Sequence, residues 1–199
     1  MAKLYFRYSA MNAGKSTSLL QIAHNYEEHG QTVSLYTAII DTRDGAGCIA
    51  SRLGLKRPAL VFDEDTDFIG TLTRGDTPAC VLIDEAQFLT IGQVEQLHQL
   101  AHVHNLPVIC FGLRSDFQGK AFAGSAQLLT LADDLEEIKT ICACGRKATM
   151  NIRFNAQGQR VQTGNQVEIG GNNRYRQVCA RCFYAGLLPA ENAGTITKV

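Results

Sequence analysis

The sequence predicts an α/β fold, with a mainly parallel sheet flanked by helices and a small additional module. Apolar runs of strand length alternate with segments of helical periodicity through residues 1–141, which is typical of such a sheet. Two close cysteine pairs then bracket residues 142–185, a polar and glycine-containing stretch with too few apolar residues for a core of its own. We therefore expect one α/β domain over 1–141, a small cysteine-bracketed module over 142–185 and a flexible tail over 186–199.

Composition limits the classes of protein that the chain can represent. At 199 residues it suits one main domain with an appendage, and its formal net charge is zero. Neither nucleic acid nor a membrane surface is therefore expected as a partner. The N-terminus leads directly into a predicted strand without a signal peptide, and no apolar run could span a bilayer, so we expect a cytoplasmic protein. Because a reducing cytosol disfavours disulfides, the seven cysteines need another explanation.

The first motif lies between a predicted strand, Lys3–Tyr8, and a predicted helix that stops at Gly30. Over Ser9–Ser16 the sequence matches a phosphate-binding P-loop, except that serine replaces the first glycine. Backbone N–H groups of such a loop point at an anion, Lys15 can reach the β and γ phosphates, and the Ser16 hydroxyl can hold Mg²⁺. The alternative is an ordinary strand–turn–helix with a chance Gly-Lys-Ser, which the correct flanking elements disfavour.

A second motif lies where a fully apolar run, Cys80–Ile83, ends in Asp84 and Glu85. The pattern is typical of a buried parallel strand that delivers carboxylates to its carboxyl end, where ligands bind in open α/β sheets. Beside a P-loop, Asp84 would orient Mg²⁺ directly or through water, and Glu85 would lie near the γ-phosphate. The alternative is a structural surface pair, which the presence of the P-loop disfavours.

The remaining regular elements are predicted from periodicity and composition. We expect strands at Thr32–Tyr36, Val61–Phe62, Pro107–Gly112 and Leu135–Ile141, and helices over 90–104 and 124–132. The acidic run at 63–65 indicates a solvated loop. After the second strand, Asp41 and Arg43 open a glycine-rich segment that either meets phosphate and metal-bound water or is simply solvated.

Two side-chain patterns have both a structural and a functional interpretation. His98 and His102 stand four residues apart on a predicted helix, which is metal-ligand spacing. They do not form a His-Glu-x-x-His motif, so histidines on a solvated face are the favoured interpretation. Phe117 and Phe122 belong to a predicted loop in which we expect them to be exposed, either to stack on a base or to pack under the loop.

The cysteine pairs, Cys142/Cys144 and Cys179/Cys182, provide the four thiolates that a tetrahedral structural Zn²⁺ site needs. The first pair is C-x-C instead of C-x-x-C, so free cysteines or a redox pair remain as alternatives. Between the pairs, a hairpin turn is predicted at Asn155–Gln159. A zinc ion that pins this long segment offsets the entropy cost of closing it, and a pinned loop over an active site is a lid.

Together these motifs resemble those of the cellular (type II) thymidine kinases, from near the start of the chain to about residue 185. The resemblance rests on Ser9–Thr17, Asp41-x-Arg43, Asp84–Phe88, Gly112–Phe117, the paired cysteines, and Ile169-Gly170-Gly171 with Tyr175. It implies a RecA-like P-loop domain, a zinc module with a lasso-like loop, and transfer of the ATP γ-phosphate to the 5′-hydroxyl of thymidine or deoxyuridine for DNA synthesis. It also implies a homotetramer that thymidine triphosphate inhibits.

The resemblance further implies a role for each matching residue. Glu85 would be the general base, and Asp84 would assist magnesium. The ATP-binding residues would be Ser9, Ala10, Met11, Asn12, Ala13, Gly14, Lys15, Ser16, Asp41, Arg43, Asp84, Glu85, Ala86 and Gln87. The thymidine-binding residues would be Phe117, Gln166, Val167, Glu168, Ile169, Gly170 and Tyr175, with the lasso acting largely through its main chain. The zinc ligands would be Cys142, Cys144, Cys179 and Cys182.

Two questions stay open at this point. Phosphoryl transfer needs a cation at the transition state, and the sequence does not choose among Arg43, Arg52, Arg114 and Arg153. Two rival classes are a P-loop ATPase, in which Glu85 activates water, and a zinc-ribbon module whose P-loop regulates nucleic-acid binding. The predicted lid and aromatic loop disfavour the first, and zero net charge disfavours the second.

Overall fold

The computed structural model of the protein describes residues 1–41, 45–167 and 174–186. In chain order its elements are β1 (Leu4–Ser9), α1 (Lys15–Glu28), β2 (Val33–Ala38), β3 (Cys48–Ala50), β4 (Lys56–Pro58), β5 (Leu60–Phe62), α2 (Phe68–Leu72), β6 (Cys80–Ile83), a 3₁₀ helix (Ala86–Phe88), α3 (Ile91–His102), β7 (Val108–Leu113), α4 (Ala123–Leu131), β8 (Asp134–Glu137), β9 (Thr140–Ile141), β10 (Lys147–Ala148), β11 (Met150–Phe154), β12 (Arg160–Val161), β13 (Tyr175–Val178) and α5 (Ala180–Ala185).

Six strands form the central sheet in the order β5-β2-β6-β7-β1-β8, and every pairing between neighbours is parallel. The predicted fold class is therefore confirmed. One strand, β7, lies between β1 and β6. Because the strands are parallel, the P-loop after β1 and the carboxylates after β6 lie at the same edge of the sheet.

Helices cover both faces of the sheet, and strands β1, β2, β6 and β7 contribute side chains to both. On one face, α1 packs Leu19 and Ala23 against Leu82 of β6. On the other face, α3 packs Leu97 against Phe6 of β1, in a cluster that also contains residues of α2 and α4. This two-sided burial explains why the inner strands are continuously apolar in sequence instead of alternating.

The ends of the predicted helices are reproduced to within two residues, but the last sheet strand is wrong in length. The segment predicted as one strand, Leu135–Ile141, is divided between β8, which pairs with β1, and β9, which pairs with β10 in an antiparallel hairpin. The backbone N–H of Ile138 still donates to the carbonyl of Tyr8, and beyond it the chain leaves the sheet. A turn of this kind between two short strands has no periodic signal.

Several short elements were not predicted, namely the antiparallel β3–β4 hairpin and helix α2. Elements of three to five residues are too short to show a period. The aromatic loop also differs from expectation, because Phe117 is 1 % exposed and Phe122 is 6 % exposed. Both rings pack under the loop, so the prediction that they are exposed is wrong.

Two small sheets and one helix form the second module, which follows β8. Strands β12, β11 and β13 pair in that order, and the turn between β11 and β12 is closed by the N–H of Asn155, which donates to the carbonyl of Gln159. This confirms the predicted hairpin turn. The module packs Ile152, Val178 and Phe183 around the cysteine pairs. The division of the chain into domains remains a prediction, and residues 187–199 of the expected tail lie outside the described residues.

Within the described ranges, no helix combines the length and the apolar character needed to cross a bilayer.

Gly124 in α4 allows a close contact with the turn that follows Glu85. A Cβ atom at this position would lie 2.5 Å from the carbonyl oxygen of Leu89 and 2.9 Å from that of Ala86. Because backbone cannot easily give way, we expect Gly124→Ala to lower the free energy of unfolding by about 1–3 kcal/mol. Chemical denaturation measures this difference.

The matched control is Gly92→Ala in α3, where a Cβ atom would meet nothing within 4 Å. Alanine is the better helix former, so this variant should be neutral or more stable by up to about 1 kcal/mol. Equal stabilities for the two variants would contradict the close packing of α4 on the turn.

Candidate active site

The phosphate-binding loop joins β1 to α1 and presents the start of that helix to a cavity. Gly14 precedes the helix with φ +84°, a left-handed conformation that favours glycine, and no side chain caps the first turn. Amide N–H groups at a helix start without a cap are available to an anion, and the helix dipole adds positive potential there. The loop therefore has the local structure that phosphate binding needs.

Ser9, which replaces the usual first glycine of the loop, contacts the P-loop lysine. Lys15 is buried, and its Nζ lies 3.3 Å from the Ser9 hydroxyl and 3.5 Å from the carbonyl oxygen of Ala10. The Ser9 hydroxyl itself donates to the Ala10 carbonyl. Ser9 and Ala10 thus hold the ammonium group at the loop and contact Lys15, while residues from Met11 onward line the cavity.

Asp84 meets the P-loop through a hydrogen bond that Ser16 Oγ donates to its Oδ2, at 2.8 Å. The carboxyl group is 3 % exposed. Burial and the neighbouring Glu85 raise the pKa of Asp84 to about 6, against the opposing effects of the Ser16 hydrogen bond and the Lys15 charge. The Ser16 hydroxyl and the Asp84 carboxylate lie side by side and offer only oxygen ligands. Mg²⁺ prefers such ligands, so this donor set fits it.

Glu85 is held in a defined orientation by Gln87. Its backbone is left-handed, with φ +53°, which turns the chain sharply at the end of β6. Gln87 Nε2 donates to Glu85 Oε2 at 2.5 Å, and Gln87 Oε1 accepts the N–H of Leu113 at 3.0 Å. Gln87 therefore ties the carboxylate to the end of β7. Ala86, another predicted ATP contact, is fully buried in the apolar core instead of facing the cavity.

One cavity of about 970 Å³ joins the two halves of the predicted site. Its lining includes Met11–Ser18, Asp41, Asp84, Glu85 and Gln87 on the ATP side. The same cavity is lined by Phe117, Gln166, Val167 and Tyr175 on the substrate side. Arg43, Glu168, Ile169 and Gly170 lie outside the described residues.

The substrate wall is built by contacts between the loop after β7 and the start of the lasso. The Arg153 guanidinium stacks 3.8 Å from the centre of the Phe117 ring and donates to the carbonyl of Asn165 at 2.9 Å. Gln166 Nε2 donates to Asp116 Oδ2 at 3.0 Å. Asp116 therefore holds the Gln166 side chain, and the Arg153 guanidinium packs against the Phe117 ring.

The structure also separates the arginine candidates for transition-state charge. Of the three that are described, Arg52 lines the cavity. Arg153 is stacked under Phe117, and Arg114 lies over the Tyr8 ring and donates to the carbonyl of Thr149.

Asn151 is a site residue that sequence reasoning missed. It is buried on β11 and lines the cavity, its Oδ1 accepts the N–H of Met11 at 2.8 Å, and its Nδ2 donates to the carbonyl of Ser115. A second bond of this kind runs from Asn12 Nδ2 to Gln177 Oε1. These bonds connect the P-loop to the second module across 140 or more residues, a separation over which no sequence pattern applies.

The four predicted zinc ligands meet in the second module. Cys142 and Cys144 lie in the β9–β10 hairpin, Cys179 precedes α5, and Cys182 lies in its first turn. The four sulfur atoms lie within 4.8 Å of one another, and Cys144 and Cys179 are 3.6 Å apart, too far for a disulfide. Tetrahedral Zn–S bonds of about 2.3 Å place sulfurs about 3.8 Å apart, so the donor set fits zinc.

The four thiol groups affect one another's ionisation. The backbone N–H of Cys182 lowers the pKa of Cys179 to about 7. Contacts with the sulfurs of Cys144 and Cys179 raise the pKa of Cys182 to about 12. The four groups therefore titrate as one coupled set.

Comparison with known proteins agrees with this geometry. The sequence matches the profile of the family described as thymidine kinase over residues 2–183. Thymidine kinase of Chromobacterium violaceum is 64 % identical over 184 residues, which covers 92 % of this chain and 99 % of the relative. Those of Albidiferax ferrireducens and Idiomarina loihiensis are 59 % and 55 % identical, with 92 % and 91 % of this chain and 93 % and 95 % of the relatives covered. This chain belongs to the thymidine kinase family.

Proposed function

We propose that the protein is an ATP-dependent thymidine kinase, which phosphorylates the 5′-hydroxyl of thymidine or deoxyuridine in deoxynucleotide salvage for DNA synthesis. The observation that carries this proposal is the single cavity lined both by the P-loop with Asp84 and Glu85 and by Phe117 with Tyr175. A donor phosphate and an aromatic-walled acceptor pocket therefore share one space, as direct transfer between two bound substrates requires.

The described residues account for each requirement of the transfer. Lys15 and the N-terminus of α1 neutralise the donor phosphates. Ser16 and Asp84 would hold Mg²⁺, which supplies further charge neutralisation on the phosphates. Glu85 accepts the proton of the 5′-hydroxyl, the new O–P bond forms at the γ-phosphorus, and the bond to the β–γ bridging oxygen breaks to release ADP. Gln87 orients Glu85 for this step through its amide.

Recognition of the base is assigned to the lasso, in keeping with the resemblance. A thymine edge presents two carbonyl acceptors and one N–H donor, which the main chain around Gln166–Gly170 can match. The engagement of the Gln166 side chain by Asp116 supports this assignment, because a side chain already bound to the protein is not free to select a base. Unpaired buried polar groups cost about 1–3 kcal/mol each, so such a site rejects bases with the wrong donor pattern.

The test of this function is ATP turnover with and without thymidine. A kinase should hydrolyse ATP slowly alone and form thymidine monophosphate rapidly when thymidine is added. An ATPase in which Glu85 activates water should show turnover that thymidine does not change, and this outcome would contradict the proposal.

Two variants in the same assay separate binding from proton transfer. Glu85→Gln keeps the shape of the side chain, so kcat should fall roughly 10²–10⁴-fold with ATP affinity nearly unchanged. Lys15→Ala should lower both ATP affinity and kcat, because the lysine neutralises phosphate charge. A near-normal kcat for Glu85→Gln would remove Glu85 from the role of general base.

The raised pKa of Asp84 predicts that ionisation of this carboxyl group lowers the free energy of unfolding of the ligand-free protein. Between about pH 4 and pH 6 the folded protein retains a proton that the unfolded chain has lost, so stability falls as pH rises through this window. Asparagine does not ionise. We expect Asp84→Asn to be more stable than the parent near neutral pH by up to about 3 kcal/mol, with no advantage below about pH 4.

Urea denaturation without Mg²⁺, repeated across this pH range, measures the effect. The exposed Asp65 provides a control, because Asp65→Asn should follow the parent at every pH. A parent-like stability for Asp84→Asn near neutral pH would mean that the ionised carboxylate carries no cost.

We also propose that Cys142, Cys144, Cys179 and Cys182 bind one structural Zn²⁺ per chain. Replacing Cys179 by serine removes one thiolate, so we expect loss of bound zinc and of thymidine binding, with ATP binding weakened much less. Elemental analysis and calorimetry with each substrate measure these effects. Cys48→Ser, at a half-exposed cysteine outside the cluster, should keep its zinc. Careful preparations of the parent that contain no stoichiometric zinc would rule the site out.

Three properties that the resemblance implies complete the proposal. They are assembly into a homotetramer, inhibition by thymidine triphosphate and location in the cytoplasm.

A further inference from the structure

A second cluster of potential metal ligands lies away from the active site. It consists of His98 and His102, one turn apart near the end of α3, and Asp133, which precedes β8. One potential ligand atom from each of these residues lies within 4.8 Å of the others. The sequence contains the histidine spacing, but the fold brings in the carboxylate from a segment 31 residues further along.

Neighbouring groups already hold these side chains in place. Asp133 Oδ2 accepts the backbone N–H of Leu4 at 2.8 Å and lies 3.0 Å from His102 Nε2. The rings of His98 and His102 are 4.4 Å apart between centres. The side chains of His102 and Asp133 are 30 % and 26 % exposed, so an ion from solvent can reach them. Little rearrangement is therefore needed to place three ligands around one ion.

The side chains of the cluster suit a divalent transition-metal ion, because they combine two imidazole rings with one carboxylate. Imidazole and carboxylate ligands suit Zn²⁺ and Ni²⁺, whereas Mg²⁺ prefers oxygen ligands alone.

The cluster is separate from both the phosphate site and the four cysteines. Leu4 and Asp133 lie where β1 and β8 begin, while the P-loop follows the other end of β1. A strand of six residues spans roughly 20 Å, so the two sites lie at opposite edges of the sheet.

We propose that His98, His102 and Asp133 form a second metal site, which binds a transition-metal dication such as Zn²⁺ or Ni²⁺. The three protein ligands leave a fourth position for water. The bound ion connects the end of α3 to the edge strand that leads into the second module. Since these ligands are assembled only in the folded protein, the ion stabilises the fold.

The experiment is calorimetric titration with Ni²⁺ of tag-free protein whose cysteine site is loaded with zinc, in excess Mg²⁺. Ni²⁺ is the probe because four thiolates retain zinc, and excess Mg²⁺ occupies oxygen-rich sites. We expect one Ni²⁺ per chain and a rise in Tm when Ni²⁺ is added. His98→Ala and His102→Ala should each weaken Ni²⁺ binding at least about tenfold, since even indirect changes at metal sites cost 10–100-fold.

The matched control is His24→Ala, which removes a histidine that pairs with a carboxylate four residues away on α1. Among the residues that the structure describes, His24 belongs to neither cluster of potential metal ligands. It should bind Ni²⁺ as the parent does. Should His98→Ala fold poorly, His98→Gln keeps a polar side chain without the imidazole. Absence of Ni²⁺ binding to the parent, or equal affinity in the histidine variants, would overturn the proposal. Thymidine kinase activity should be unchanged in all of these variants.

Discussion

The parallel sheet imposes the constraint on which the site depends. Since β1 and β6 run in the same direction with β7 between them, the loop that follows one and the carboxylates that follow the other open at the same edge. The Ser16–Asp84 hydrogen bond is the direct contact between the two motifs. Burial at this edge and the neighbouring Glu85 raise the pKa of Asp84, so the ionised form of this carboxyl group is unfavourable for the fold.

The second module completes the site by contacting the first domain directly at its phosphate loop. Asn151 accepts the N–H of Met11, and Asn12 donates to Gln177, so the module is attached to the same loop that would hold ATP. Three of the four cysteines share a buried cluster with Val178 of β13, the strand that begins at Tyr175. Donor and acceptor halves of the cavity are therefore parts of one connected hydrogen-bonded structure.

The predicted exposure of the aromatic loop is wrong because a tertiary contact decides it. Phe117 follows polar residues in a loop, which suggests exposure, but Arg153 from β11 covers its ring. Ala86 belongs to the motif that the resemblance assigns to ATP, and Gly124 of α4 packs against its carbonyl oxygen. Gln87 donates to Glu85 and also lines the cavity. The contacts that Arg153 and Gly124 make come from other elements, which local sequence patterns do not show.

The sequence alone determined the fold class, the P-loop, the paired carboxylates and the four clustered cysteines, because each depends on residue types at short and regular spacing. It also indicated the family, since these motifs occur together in one order. Only the tertiary structure decided which side chains support them. Asn151, Arg153 and the pairing of His102 with Asp133 arise from contacts between distant segments, and the packing of the whole chain sets such contacts.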